Sequence, residues 1–214
     1  MRSRVLGEFL GTFILVFAGT GAVVIDSLTG AIGHIGIALT FGMVVTALIY
    51  SFGHISGAHF NPAVTLAFTV MGEFKKSELL PYISAQILGA TTASITLFLM
   101  FGNVASLGAT LPNGSYTQSF ILEFILTFIL MLVISLSAVH SKAVKSFAGI
   151  SIGFTVGLEA LFAGPISGAS MNPARSIAPA IISGDLDSLW IYIIATIGGA
   201  VVSVYAYKLL KESE

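Results

Sequence analysis

Long apolar runs separated by brief polar breaks dominate the chain. They extend from about Val5 to Ile25, Ile35 to Phe52, Leu80 to Phe101, Phe120 to His140, Phe147 to Phe162 and Trp190 to Leu210. About twenty apolar residues in helical form cross a hydrocarbon core of roughly 30 Å, so the pattern predicts six spans. The fifth is short and rich in glycine. Most breaks are short: Asp26 to Gly33, with His34 read as a loop residue, then Met71 to Ser77, Ser141 to Ser146 and Ser183 to Ser188. A longer connection rich in Gly, Ser, Thr and Asn runs from Gly102 to Gln118. Trp190 and Tyr192 open the last span, where interface aromatics are common.

Two stretches do not fit the span pattern. Gly53–Ala67 and Gly164–Ala178 share nine of fifteen residues at a constant offset of 111. Each is turn-rich up to an Asn-Pro-Ala that opens a helix. Asn61 and Asn172 are suited to the N-cap, where a side-chain oxygen accepts from an orphan backbone N–H. Pro62 and Pro173 then take the first helical position, where a missing N–H costs nothing. The helix from Pro173 to about Ile182 is about 15 Å long, half a bilayer core.

The repetition extends further. Glu8–Leu15 resembles Glu123–Leu130, and Tyr82, Ala85, Gly89 and Ala90 recur as Tyr192, Ala195, Gly199 and Ala200. Three full spans separate corresponding points. An odd number makes the halves, 1–110 and 111–214, insert with opposite orientation. The expected fold is an all-α membrane protein with six transmembrane helices and two half-membrane helices in an inverted repeat.

Charge tests the topology. Arg2, Arg4, Lys75, Lys76, Lys142, Lys145, Lys208 and Lys211 all fall on one side of the six-span arrangement. Basic loops favour the cytoplasm, so both termini are read as cytoplasmic. Only 9% of residues are charged against 56% hydrophobic, with mean hydropathy +0.98. Soluble domains carry about 25% charged residues. The opening Arg-rich, apolar pattern is read as a first span rather than a leader, because the apolar run continues to Ile25. A net charge of −1 gives no reason to expect a nucleic-acid partner. No cysteine is present, which excludes thiolate catalysis, disulfides and cysteine metal sites.

The ninth basic residue, Arg175, directly follows the second Asn-Pro-Ala, inside the membrane zone. An arginine there costs at least about 2.5–3.5 kcal/mol on insertion scales. Facing a water-filled path removes much of that cost, and irregular backbone at this depth is tolerated only in such places or inside protein. Two half helices would aim their positive N-terminal ends at the midplane. Ahead of them, Gly57, Ala58, His59 and Phe60, and Gly168, Ala169, Ser170 and Met171, would offer a line of carbonyl acceptors. Asparagine donors, carbonyl acceptors and a positive field suit water and small neutral hydroxylic solutes. The same field opposes cations and protons. A secondary transporter also uses inverted repeats and broken helices, but asparagines in a positive field are poor ligands for a coupling ion. No nucleophile–base–acid set and no metal cluster points to an enzyme.

On these residues the chain resembles the aquaporin family, the major intrinsic proteins, over essentially its whole length, and in its bacterial or archaeal type. The resemblance rests on both Asn-Pro-Ala boxes (Asn61, Pro62, Ala63; Asn172, Pro173, Ala174), on Arg175 and on the Glu8/Glu123 pair. It implies a homotetramer in the plasma membrane bilayer, one pore per subunit, passive flow and no cofactor or metal. A pore of the same fold that prefers metalloid acids or ammonia is the alternative. The family's constriction maps to Phe41, Ala160, Ala169 and Arg175, and its pore-lining histidine to His59. Water-selective members usually carry histidine where Ala160 stands. Glycerol facilitators usually carry tryptophan at Phe41 and aspartate at Ser176. Glu8 and Glu123 are expected to accept from backbone N–H groups ahead of the half helices. Glu159 has Leu48 as its repeat counterpart and no assigned role. Gly42, Gly89, Gly153 and Gly199 are expected at close helix contacts.

Overall fold

The computed structural model describes residues 1–212. Six long apolar helices are present: α1 (Arg2–Thr29), α2 (Gly33–Ser56), α4 (Lys76–Phe101), α5 (Tyr116–Ile134), α6 (Ala148–Ser167) and α8 (Leu189–Glu212). Two short ones, α3 (Pro62–Met71) and α7 (Pro173–Ser183), have 10 and 11 residues. At 1.5 Å per residue they reach about halfway through a bilayer core. A wider π-type turn extends α5 over Ser135–Val139. The eight basic residues expected on one side lie at the start of α1, around the start of α4, in the α5–α6 connection and near the end of α8.

The halves interlock. In each, the first span packs along the third, α1 on α4 and α5 on α8, while α2 and α6 meet across the pseudo-symmetric interface. Each half helix also leans on a span of the other half, α3 on α8 and α7 on α4. Small residues permit these approaches. A Cβ at Gly89 would overlap the Phe9 carbonyl, and one at Gly199 the Phe124 carbonyl. Between α2 and α6, a Cβ at Gly42 would come within 2.8 Å of the Gly153 carbonyl oxygen. Buried hydroxyls inside the spans bond back to the preceding turn, as Thr12 does to the Glu8 carbonyl at 2.7 Å and Thr127 to the Glu123 carbonyl at 2.8 Å.

The structure differs from the pattern reading at several boundaries. The fifth span does not stop near Phe162; α6 continues to Ser167 with Pro165 inside it. Proline cannot donate to the carbonyl four residues back, which here belongs to Leu161. His34 Nε2 approaches that carbonyl oxygen at 2.6 Å. His34 is therefore not a loop residue. It sits in the first turn of α2 and caps the carbonyl that Pro165 leaves without a helical donor. Gly53–Ser56 likewise belong to α2, which runs past the expected end at Phe52, while the first half helix begins at Pro62 as its motif predicts. Trp190 is exposed, but Tyr192 is fully buried and donates to the Ser167 carbonyl at 2.8 Å. It is a structural tie, not an interface aromatic.

Removing the space at a repeat contact should unfold the bundle. Gly199→Val is expected to lower the thermal midpoint in detergent, because overpacking costs about 1–3 kcal/mol or more. Gly53→Ala is the control, since a Cβ there meets nothing within 4 Å. Equal midpoints for the two variants would contradict the close α5–α8 contact.

Candidate functional site

Two irregular segments, Gly57–Asn61 and Gly168–Asn172, connect full spans to half helices. Their backbones follow the same course. Gly57, Ala58 and Phe60 have φ of 90°, 53° and 49°, and Gly168, Ala169 and Met171 have 82°, 42° and 55°. For the four residues other than glycine this left-handed geometry costs about 1–3 kcal/mol each. It persists because each N–H has a fixed acceptor. His59 and Phe60 donate to the two carboxyl oxygens of Glu8 at 3.0 and 2.7 Å. Ser170 and Met171 donate to Glu123 at 2.9 and 3.0 Å. Ala58 N–H reaches Ser56 Oγ at 3.1 Å, and Ala169 N–H reaches Ser167 Oγ at 3.2 Å. Tyr82 Oη donates to the Ser56 carbonyl at 2.8 Å, as Tyr192 does to that of Ser167. Both carboxyl groups are fully buried.

The half helices start at these segments. Asn61 Oδ1 accepts from Ala63 N–H at 2.9 Å and Asn172 Oδ1 from Ala174 N–H at 3.0 Å. Pro62 and Pro173 take the first helical position. Each amide then reaches across the pseudo-symmetry. Asn61 Nδ2 donates to the Met171 carbonyl at 2.7 Å, and Asn172 Nδ2 to the Phe60 carbonyl at 2.8 Å. This alters the expected division of donors and acceptors. The carbonyls of Phe60 and Met171 are tied to the opposite asparagine, and one N–H of each amide is spent on that tie. One N–H per amide remains.

A continuous cavity runs past this junction. Asn61, Asn172, Arg175, Phe41, Gly57, Ala58, His59, Phe60, Ala169, Ser170 and Met171 line it, with Val45, Ile49, Ile152 and Val156 as an apolar wall. Gly168 and Ala160 lie outside the lining. Ala160 is buried on α6. Arg175 is 4% exposed; Nη1 donates to the Gly108 carbonyl at 2.6 Å, and the guanidinium lies 5.1 Å from the Phe41 ring centroid. Nε has no acceptor among the described residues. His59 is braced by Phe68, Phe74 and Tyr82, and its Nδ1 lies 3.1 Å from Thr65 Oγ1. Glu159 does not fill the space beside Ala160. It is buried, and neither carboxyl oxygen has a hydrogen-bond partner among the described residues. The N–H groups of Gly168, Ala169, Ser170 and Met171 are already bonded to Gly164, Ser167 and Glu123.

Sequence reasoning missed several groups that hold the site. Ser56 and Ser167 are identical members of the fifteen-residue repeat, and Tyr82 and Tyr192 are repeat partners, so the repetition itself carried that signal. Gln86 is different. It donates to both Glu8 and Thr65 at 2.8 Å, and its counterpart is Thr196, which bonds only within its own helix. Gly108 and Thr110 lie in the long connection, which has no repeat.

Six spans and two half helices that meet tip to tip beside a largely apolar lumen carrying a few polar groups define a polytopic membrane protein of the channel-forming class. Residues 1–207 match the family described as Major intrinsic protein. Aquaporin NIP1-1 of Zea mays is 49% identical over 210 residues, covering 97% of this chain and 74% of that protein. Nodulin-26 of Glycine max is 43% identical over 213 residues, covering 99% and 79%. The X-ray structure of the aquaglyceroporin from Plasmodium falciparum superposes with a TM-score of 0.87 at 28% identity, covering 100% of this chain and 99% of that one. The chain belongs to the major intrinsic protein family. Both relatives named by sequence are plant proteins, whereas the sequence reading placed the chain with the bacterial or archaeal type.

Glu159 offers a direct test of the hydrogen-bond accounting. A buried polar group without a partner costs about 1–3 kcal/mol. Glu159→Leu, the residue at the repeat counterpart Leu48, is expected to raise the thermal midpoint in detergent. A lowered midpoint would mean that Glu159 is held by a partner the protein itself does not supply.

Proposed function

We propose that this chain is a passive transmembrane channel that conducts water and small neutral solutes, glycerol first among them, and excludes ions and protons. The cross-tied asparagines carry the reading. At mid-membrane each amide keeps one N–H for the lumen, at the positive end of a half helix. Approaching water or hydroxyl oxygens meet donors there, while cations meet an unfavourable field. Toward either mouth the carbonyls of Ala58, His59, Ala169 and Ser170 accept no hydrogen bond from another described residue, which leaves acceptors for the solute. Phe41, Ala169 and Arg175 line the constriction in this reading, and Ala160 stands beside it on α6, where a larger side chain would extend toward it. Arg175 supplies donors and fixed charge, Phe41 an apolar face, and the two alanines add little bulk. Pore diameter and lining groups set selectivity, so the opening admits carbon-bearing solutes as well as water. The aquaglyceroporin likeness supports the same range.

The finer assignments follow from the same reading. The halves 1–110 and 111–214 act as the two inverted repeats. Both termini face the cytoplasm of a plasma membrane, on the side of the eight clustered basic residues. The chain assembles as a homotetramer with one lumen per subunit. Ile35, Leu39 and Met43 on α2 and Phe154 and Leu158 on α6 form an exposed apolar face that suits subunit contact in a bilayer.

Stopped-flow light scattering on proteoliposomes tests the channel. Wild-type vesicles are expected to shrink faster than empty ones and to admit glycerol. Ala160→His should reduce the glycerol-to-water permeability ratio by at least about tenfold, the discrimination that modest changes in pocket contact supply. Exclusion of glycerol, urea and ammonia alike by the wild type would refute the proposed solute range. A second variant probes charge. Arg175→Val should retain water flux and gain proton or cation leak, because a fixed charge acts strongly in a low-dielectric wall. An unchanged leak in folded protein would remove Arg175 from the barrier.

A further inference from the structure

Arg175 does not hold its own position. Among the described residues, its side chain hydrogen-bonds only the Gly108 carbonyl, at 2.6 Å, in the connection between α4 and α5. What fixes that connection therefore fixes the guanidinium. Ala105, Ser106 and Leu107 form a left-handed turn with φ of 47°, 49° and 54°, and Leu107 is fully buried. Gly108 follows at φ 71°, so close to Thr20 that a Cβ would lie 2.9 Å from the Thr20 Cβ. Two residues on, Thr110 is 4% exposed, and its hydroxyl lies 2.7 Å from Ser176 Oγ. Ser176 Oγ lies 2.5 Å from Ser170 Oγ, and Ser170 Oγ donates to the Asn172 carbonyl at 3.0 Å.

Proton counting gives this chain a direction. Three hydroxyls have three protons, and three bonds need one each. Ser170 spends its proton on the Asn172 carbonyl. Ser176 must then donate to Ser170, and Thr110 to Ser176. The chain thus runs from the connection, through the second residue of the half helix after Ala174, to the cap residue at mid-membrane.

The other half shows what is particular here. Thr65 is the counterpart of Ser176, and His59 of Ser170. Thr65 Oγ1 donates to the Asn61 carbonyl at 2.9 Å and meets His59, but it is tied to a neighbouring span by Gln86 on α4. The scaffold role is therefore met in that half without any loop. In the second half the equivalent hydroxyl is tied to the loop that carries the acceptor of Arg175.

We propose that Thr110 is a positioning residue for Arg175 and thereby sets which neutral solutes pass the constriction. This rests on the channel reading above. The Thr110→Ser176→Ser170 chain pins residues 108–110 against α7, which keeps the Gly108 carbonyl in register with a guanidinium on that same helix. Without the Thr110 hydroxyl, the carbonyl and the arginine it holds gain freedom to move, and the opening across from Phe41 widens.

The test compares Thr110→Val, which keeps the shape and removes the hydroxyl, with Thr110→Ser, which keeps the hydroxyl, in proteoliposomes scored for glycerol and water permeability. Thr110→Val is expected to raise the glycerol-to-water ratio about two- to tenfold, the range spanned by the net worth of one hydrogen bond. Thr110→Ser should match the wild type. Ser176→Ala cuts the same chain from the half-helix side and should reproduce the valine result, so a poorly folding valine variant does not remove the test. An unchanged or lowered ratio in the folded valine and alanine variants overturns the proposal, as does a serine variant shifted as far as valine. Wild-type water flux no faster than empty vesicles overturns the channel reading itself, and this proposal with it.

Discussion

Everything in this molecule depends on one difficulty: backbone that leaves the helix at membrane depth must still satisfy its polar groups. Water cannot serve one face of such a segment while protein packs against it. Glu8 and Glu123 solve this from the side away from the lumen. Each receives two consecutive backbone N–H groups, and a serine hydroxyl receives a third. Those bonds also account for left-handed alanine, phenylalanine and methionine residues, which few other surroundings would hold.

Satisfying the N–H groups from behind has a consequence for the lumen. Consecutive N–H groups turned toward one carboxyl group leave the carbonyls of Ala58, His59, Ala169 and Ser170 without donors among the described residues. The acceptor line along the cavity and the buried acids are thus one arrangement seen from two sides. The asparagines close it. Each caps its own helix with Oδ1 and ties the opposite segment with Nδ2. The half helices can therefore shift only together. That rigidity keeps their positive ends aimed at one point in the lumen.

The spans, half helices and inverted repeat were legible because hydrophobic runs, Asn-Pro steps and a constant offset are local features of the chain. Misread boundaries trace to residues whose partners are distant in sequence. Pro165 next to Gly164 reads as a helix end, and only His34, 127 positions from Leu161, shows why the helix survives it. Tyr192 reads as an interface aromatic until the Ser167 carbonyl is found at its hydroxyl. Among candidate site residues, Asn61, Asn172 and Arg175 announce themselves by motif. Gly108 and Thr110 do not, since a polar connection rich in Gly and Ser contains many such residues. Nothing in the local pattern marks the left-handed turn at Ala105–Leu107 that turns the chain inward.

Repetition also explains where the molecule is free to specialise. Groups bearing on the shared problem of re-entrant backbone are duplicated: the acids, the serines, the tyrosines and the cap asparagines. Groups that differ between halves bear on something else. Gln86 on α4 bridges Glu8 on α1 and Thr65 on α3, so the first half is tied internally. The second half gives the same hydroxyl position to a loop partner and places Arg175, whose counterpart is Val64, beside it. A duplicated scaffold can hold a pair of half helices in symmetry, but a filter with one charged wall cannot be symmetric. In the proposed reading, the asymmetry that bears on the opening centres on one connection and one half-helix turn, set apart from the acids that keep the backbone in place.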